Sequence, residues 1–192
     1  MNTFILEEKH FQQIKWSGGI STQLYISPVD AGYSERNFEV RISTAKVEIG
    51  KSNFTSLPGI ERKLMILEGE ILINHENHYS KKMKQFDVDS FSGDWNTTSV
   101  GTCTDFNVMT TGNIKSELSI LKVVAKSTTK INISKQSKTL FLYAFKGNID
   151  VEINQVKYIL KKGNLLVVEN IKVDLISLFA EDQSEIVVTK IF

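Results

Sequence analysis

Apolar residues in this chain recur mostly at every second position, in short runs broken by Gly, Asn, Asp and Ser. That period belongs to strands, where successive side chains point to opposite faces of a sheet. The runs at 37–49, 63–73, 106–110, 119–126, 139–144, 149–153, 164–168, 173–178 and 185–191 therefore predict strands. Only 8–14 suggests a helix, short and N-terminal. The fold class is all-β, a barrel or a sandwich.

A weak repeat adds organisation. Leu67-Glu68-Gly69, followed by Ile71 and Ile73, matches Phe145-Lys146-Gly147, followed by Ile149 and Val151, at an offset of 78 residues. Each copy reads strand, glycine turn, strand, polar hairpin, strand, which is the rhythm of a small jelly roll. Two tandem jelly-roll β-barrels follow, residues 1–112 and 113–192, with the boundary near 111–115.

Two predicted strands have an unusual polar face. Arg41, Ser43 and Ala45 share one side of 37–47, opposite Phe38, Val40 and Ile42. In 105–110, Asp105, Asn107 and Met109 face away from Phe106 and Val108. Solvated faces are normally built from long Lys and Glu side chains. Short hydrogen-bonding groups such as these lose little entropy on ordering and suit a polar lumen. Three turns add to them: Trp16-Ser17-Gly18-Gly19-Ile20-Ser21-Thr22, the Pro58-Gly59 turn that precedes Arg62, and Phe91-Ser92-Gly93-Asp94-Trp95. Glycines let the backbone approach a ligand, and their N–H groups can bind an anion.

The chemistry is unevenly spread. All three arginines, both tryptophans, both prolines, all three histidines and the single cysteine precede position 104, whereas lysines run throughout the 192 residues. A guanidinium grips a carboxylate with two parallel hydrogen bonds, and an ammonium does not. Arg41 and Arg62 thus stand out in a chain that takes its surface charge from lysine. From 113 onward the strands carry Ile, Leu, Val and Phe, so the second barrel is expected to be packed and structural. Net charge is +1, which gives no field to attract nucleic acid or an anionic membrane. One cysteine excludes an internal disulfide, and the N-terminal sequence lacks the pattern of a signal peptide. A soluble, cytoplasmic protein is expected.

Taken in order, Trp-x-Gly-Gly-x-x-Thr at 16–22, Phe-x-x-Arg-x-Ser-x-Ala at 38–45, Phe-x-x-Leu-Pro-Gly-Ile-Glu-Arg at 54–62, Phe-x-Gly-Asp at 91–94 and Asp-Phe-Asn-Val-Met-Thr at 105–110 resemble the HutD/Ves family. The resemblance runs from about Trp16 to Thr110 and fades into general strand pattern beyond. It implies a bicupin, two cupin-like barrels in tandem. It also implies a link to histidine utilisation, as sensor or buffer of an intermediate, or to stress induction. The resemblance further implies a small-molecule pocket in the first barrel, with Arg62 the best candidate for the family's carboxylate-binding arginine. The chain departs from the family at Val40, where Trp is frequent, and at Thr111 and Gly112, where basic residues are common.

Many cupins bind a metal through His-x-His and two further ligands, but this chain has no His-x-His and no histidine after His78. His75 and His78 fall in the polar stretch 73–79 and read as a solvated hairpin tip. Cys103 has no histidine near it in sequence and reads as a buried, inert thiol. No metal and no cofactor are expected.

The reading that results is a metal-free binder of a small carboxylate metabolite, similar to formate, formylglutamate or urocanate, serving as regulator or buffer. A homodimer is compatible with it. Arg62 and Arg41 hold the carboxylate, Asp105 and Asn107 orient arginine or ligand, and Trp16, Gly18, Gly19, Thr22, Ser43 and Asp94 complete the site. The alternative is a small-acid isomerase or hydrolase with Asp94 or Asp105 as general base.

Overall fold

The computed structural model describes residues 1–192 and is built from strands, with one turn of 3-10 helix at Glu8–His10. No helix is long and apolar enough to cross a membrane. The chain divides into two compact units, Phe11–Ile114 and Met1–His10 with Lys115–Phe192.

The N-terminal strand β1 (Asn2–Leu6) belongs to the second of these units. The unit Phe11–Ile114 then begins with β2 (Gln12–Trp16), β3 (Gly19–Ser27), β4 (Val40–Val47) and β5 (Lys51–Asn53). It continues with β6 (Ile60–Gly69), β7 (Ile71–His75), β8 (Tyr79–Met83), β9 (Val88–Ser92), β10 (Thr97–Val100) and β11 (Cys103–Thr111). A six-stranded sheet is ordered β2-β3-β4-β11-β6-β9 and a four-stranded sheet β5-β10-β7-β8. Val47, Leu64, Ile66, Ile71, Ile73, Met83, Phe91 and Cys103 form a core cluster drawn from both sheets.

The other unit adds β12 (Ser116–Val123), β13 (Ser127–Asn132), β14 (Thr139–Lys146) and β15 (Ile149–Ile153). Its last strands are β16 (Val156–Leu160), β17 (Leu165–Glu169), β18 (Leu175–Ala180) and β19 (Ser184–Ile191). Here the sheets are β1-β17-β14-β19-β12 and β13-β18-β15-β16. Val123, Leu142, Val151, Leu166, Leu178 and Ile186 belong to the core cluster of this unit.

The 78-residue repeat has a structural meaning. Gly69 ends β6 and Gly147 follows β14, and at each the chain leaves the larger sheet of its unit for the smaller. Both glycines have positive φ, +81° and +76°. At Gly69 a Cβ would stand 2.4 Å from the Thr102 carbonyl oxygen, so the corner requires glycine.

Several expectations need correction. Each unit consists of two separate sheets, where closed barrels were expected, because the corners break the hydrogen-bonded ladders. Residues 1–10 do not belong with the unit that follows them, since Asn2–Leu6 pairs antiparallel with Leu165–Glu169. The helix expected over 8–14 is cut to three residues. Gln12–Trp16 is instead an edge strand, its backbone tied to β3.

Candidate functional site

A pocket of about 290 Å3 opens on the six-stranded sheet of the Phe11–Ile114 unit. Its floor comes from three neighbouring strands. Arg41, Ser43, Ala45 and Val47 line it from β4, Asp105, Asn107 and Met109 from β11, and Arg62 from β6. Strand period and register explain the grouping. Met109 lies between Arg41 and Arg62, and Asn107 lies opposite Ser43, so all project from one face. The walls are Trp16 and Ile14 of β2, Ser52 and Asn53 of β5, Tyr33, Phe54 and Thr55. A register shift between Thr104 and Asp105 marks a bulge where the polar face begins, and bulges commonly re-aim side chains at such places.

The two arginines are held differently. Arg41 donates from Nε to Gln23 Oε1 at 2.8 Å and from Nη1 to Ser43 Oγ at 3.0 Å. Its guanidinium lies 4.3 Å from the centroid of the Tyr33 ring. Arg62 is only 5% exposed, and its Nε has no partner. It packs against two rings that meet each other edge-to-face, 5.0 Å from the centroid of Phe54 and 5.2 Å from that of Phe91. Neither arginine belongs to any of the ion pairs of the chain. Two further buried acceptors face no donor, Asp105 Oδ1 and Asn107 Oδ1. Buried polar groups are normally satisfied, so three orphans in one pocket are a signal.

Burial also shifts the titrating groups. It pulls Arg62 down to about 10, opposed by Tyr33 and Asp105 and aided by the like charge of Arg41. Arg41 is lowered as well, again by burial. Burial pushes the Asp105 carboxyl up to about 7, although Arg62 and the Ala45 backbone favour its ionised form. The buried Cys103 thiol rises to about 12, through burial and then the charge of Asp105. Such a thiol is no nucleophile at neutral pH.

Not every residue expected at the site lines it. Asp94 is exposed on its turn and bonded to Ser92, away from the pocket lining. Thr22 faces the other way: it pairs with Thr44, whereas its neighbour Ser21 pairs with Ala45 and lines the pocket. Gly18 and Gly19 border a separate shallow depression beside Trp16. At Gly18 a Cβ would lie 2.0 Å from the Trp16 ring, so the glycine seats that tryptophan. At Gly19 it would lie 1.8 Å from the Lys46 carbonyl oxygen, so this glycine permits strand pairing. Trp16 itself remains at the rim, 38% exposed.

Sequence reasoning missed Tyr33, Gln23 and the Phe54–Phe91 ring pair against which Arg62 packs. It also misplaced His75, which is 1% exposed, far from the solvated tip expected of it. The His75 Nε2 stands 3.0 Å from Asp89 Oδ2 and its Nδ1 2.8 Å from Thr97 Oγ1. Tyr79 donates to Asp89 Oδ1 at 3.0 Å, and Trp95 packs edge-on to the imidazole. Burial works to raise Asp89, but its bonds to His75 and Tyr79 and the charge of Lys81 leave it lowered. The pattern Ile71-x-Ile73-x-His75 carried the signal, because period two turns His75 inward with the isoleucines.

Known proteins place this geometry in context. Nothing among curated proteins matches the chain in sequence. A conserved protein of unknown function from Pseudomonas aeruginosa PAO1 superposes with a TM-score of 0.85 at 18% identity, over 100% of this chain and 99% of that one. HutD from Pseudomonas fluorescens SBW25, solved in a formate condition, gives 0.74 at 16% identity over the whole of both chains. YhhW from Escherichia coli gives 0.72 at 12% identity, over 98% of this chain and 97% of that one. At such identities the likeness shows the fold, which is all-β and cupin-like. YhhW has also been seen with nickel(II), but no three His, Cys, Asp or Glu side chains of this chain come together as a metal site. The family model that matches is HutD, over residues 8–188. The chain belongs to the HutD family.

Proposed function

We propose that this protein binds a small carboxylate-bearing metabolite in the pocket around Arg62 and Arg41 and acts as a regulator or buffer of that metabolite. The observation that carries this reading is the Arg62 guanidinium, buried against two aromatic rings, in no ion pair and with its Nε unpartnered. A buried cation is costly unless something pairs with it, and a carboxylate fits its planar fork. Arg41, anchored by Gln23 and Ser43, adds a second positive charge, and Asn107 offers an acceptor to a ligand N–H. Trp16, Tyr33 and Phe54 supply apolar walls. Membership of the HutD family favours an acid of histidine utilisation, and the formate condition of the Pseudomonas fluorescens protein makes formate a natural first probe. In this reading each unit is a cupin-like jelly roll, the two form a bicupin, and the Lys115–Phe192 portion is structural.

Calorimetry with formate, N-formylglutamate and urocanate tests the assignment. Arg62→Lys, which keeps the charge and loses the fork, is expected to weaken binding by about 1.5–3 kcal/mol. Equal affinity for wild type and variant removes Arg62 from the site.

One observation favours a catalytic alternative. Asp105, at about 7, is poised to serve as a general base. No histidine or lysine lines the pocket to act as its partner, and Asp94 is outside it, so the binding reading is preferred.

A further inference from the structure

The carboxylate-binding reading of the pocket leads to a second question, which is how Asp105 tolerates an incoming anion. We propose that the pocket takes up a small carboxylate together with one proton, which resides on Asp105 and is donated in a hydrogen bond to the ligand.

The geometry sets the problem. Asp105 Oδ1 and Arg62 Nε line the same pocket, both buried, both without a partner, and too far apart to form an ion pair. A carboxylate seated on Arg62 therefore becomes the second anion in a site that already contains one. Two carboxylates that share a desolvated site resist ionising together, and one of the pair keeps a proton. The proton balance is simple. In the empty pocket at pH 8 Asp105 is an anion; solvent supplies one proton on binding, and the new O–H points at a ligand oxygen. The bound pocket then contains two guanidiniums, one ligand carboxylate and a neutral Asp105.

The groups facing Asp105 support this assignment. They are Arg62 from β6, Arg41 from β4, Cys103 from its own strand and Tyr33 from the loop before β4. The parts of β2, β5 and the 54–55 segment that line the pocket contribute Ile14, Trp16, Ser52, Asn53, Phe54 and Thr55, none of them charged. With Arg62 at about 10 and Cys103 at about 12, neither takes up a proton between pH 6 and 8. Asp105, at about 7, does so readily.

Titration of formate into the whole protein, in Tris and in HEPES at pH 8 and in bis-tris and in MES at pH 6, reads the proton directly, because the two buffers of each pair release it with different heats. About 0.9 proton per formate is expected at pH 8, about 0.1 at pH 6, and affinity about tenfold weaker at pH 8 than at pH 6. Asp105→Asn is expected to bind formate with no proton uptake and a flat pH profile. If that variant fails to fold, the wild-type heats alone decide. Uptake near zero at pH 8, while Arg62→Lys still weakens binding, overturns the proton proposal and leaves the carboxylate reading intact. Uptake that persists in Asp105→Asn also overturns it, by placing the proton elsewhere. Formate that binds at no pH overturns both.

Discussion

Replacing Arg62 with methionine is expected to make the protein more stable as it destroys the proposed carboxylate site. The guanidinium is drawn from its ordinary 12.5 to about 10, chiefly by burial. That change is equivalent to about 3 kcal/mol of lost solvation for the charged form. Against it stand two ring contacts, with Phe54 and Phe91, each worth about 0.5–1 kcal/mol. Methionine is unbranched and of similar length, and its sulfur makes contacts of about the same strength with aromatic rings. The net gain is then about 2 kcal/mol, or about 4–8 °C in Tm for a chain of this size. Arg41→Met is the internal control. Arg41 has bonds to Gln23 and Ser43, and breaking them leaves polar groups unpaired at a cost of about 1–2 kcal/mol. Urea unfolding at pH 6, where Asp105 is mostly protonated, keeps that carboxyl out of the comparison. A variant with unchanged m-value and higher midpoint supports the argument. An Arg62→Met protein that loses 1 kcal/mol or more would falsify it, since the guanidinium would then have a partner that stabilises the fold.

Two further predictions concern stability. Asp105 titrates at about 7 in the folded protein against 3.8 ordinarily, so between those values the native state holds a proton that the unfolded chain has released. Stability must then fall as pH rises from about 4 to 7, by about 4 kcal/mol in total, and Asp105→Asn should flatten that slope. Urea midpoints at pH 5 and 7.5 measure it, and a wild type as stable at the higher pH as at the lower contradicts it. His75→Leu leaves Thr97 Oγ1 and Asp89 Oδ2 without their imidazole partner and is expected to cost about 2–3 kcal/mol. A loss under about 0.5 kcal/mol, within the range of ordinary surface changes, would mean that water replaces the ring.

Much of the pocket floor was legible because strands obey a strict period. Arg41 with Ser43, and Asp105 with Asn107, fall on common faces whatever the neighbouring strands do. Arg62 was legible through rarity, as one of few arginines in a lysine-rich chain. Partners that reach the pocket from distant segments were not. Nothing near Tyr33 in sequence indicates that its ring covers Arg41, because it sits in the loop between β3 and β4, nor that Gln23 caps the same guanidinium, because that depends on register across the two strands. Thr22 failed for the related reason that one position along a strand reverses the face. Asp94 failed because a turn has no period to aim it. The glycine pair at 18–19 was rightly singled out as a place of close approach, but what approaches is the protein's own Trp16 and Lys46 carbonyl.

The pairing of Asn2–Leu6 with Leu165–Glu169 orders events during synthesis. Strand β1 leaves the ribosome before the Phe11–Ile114 unit and waits while that unit, contiguous in sequence, emerges and can fold. Its own partner, Leu165–Glu169, is made only after that whole unit. Closing so long a loop is slow, and until it closes the outer edge of β17 offers unpaired N–H and C=O groups to any passing strand. A nascent or N-terminally trimmed chain thus carries its aggregation hazard in the half of the molecule without the pocket. Tags, truncations and chaperone dependence should register there first.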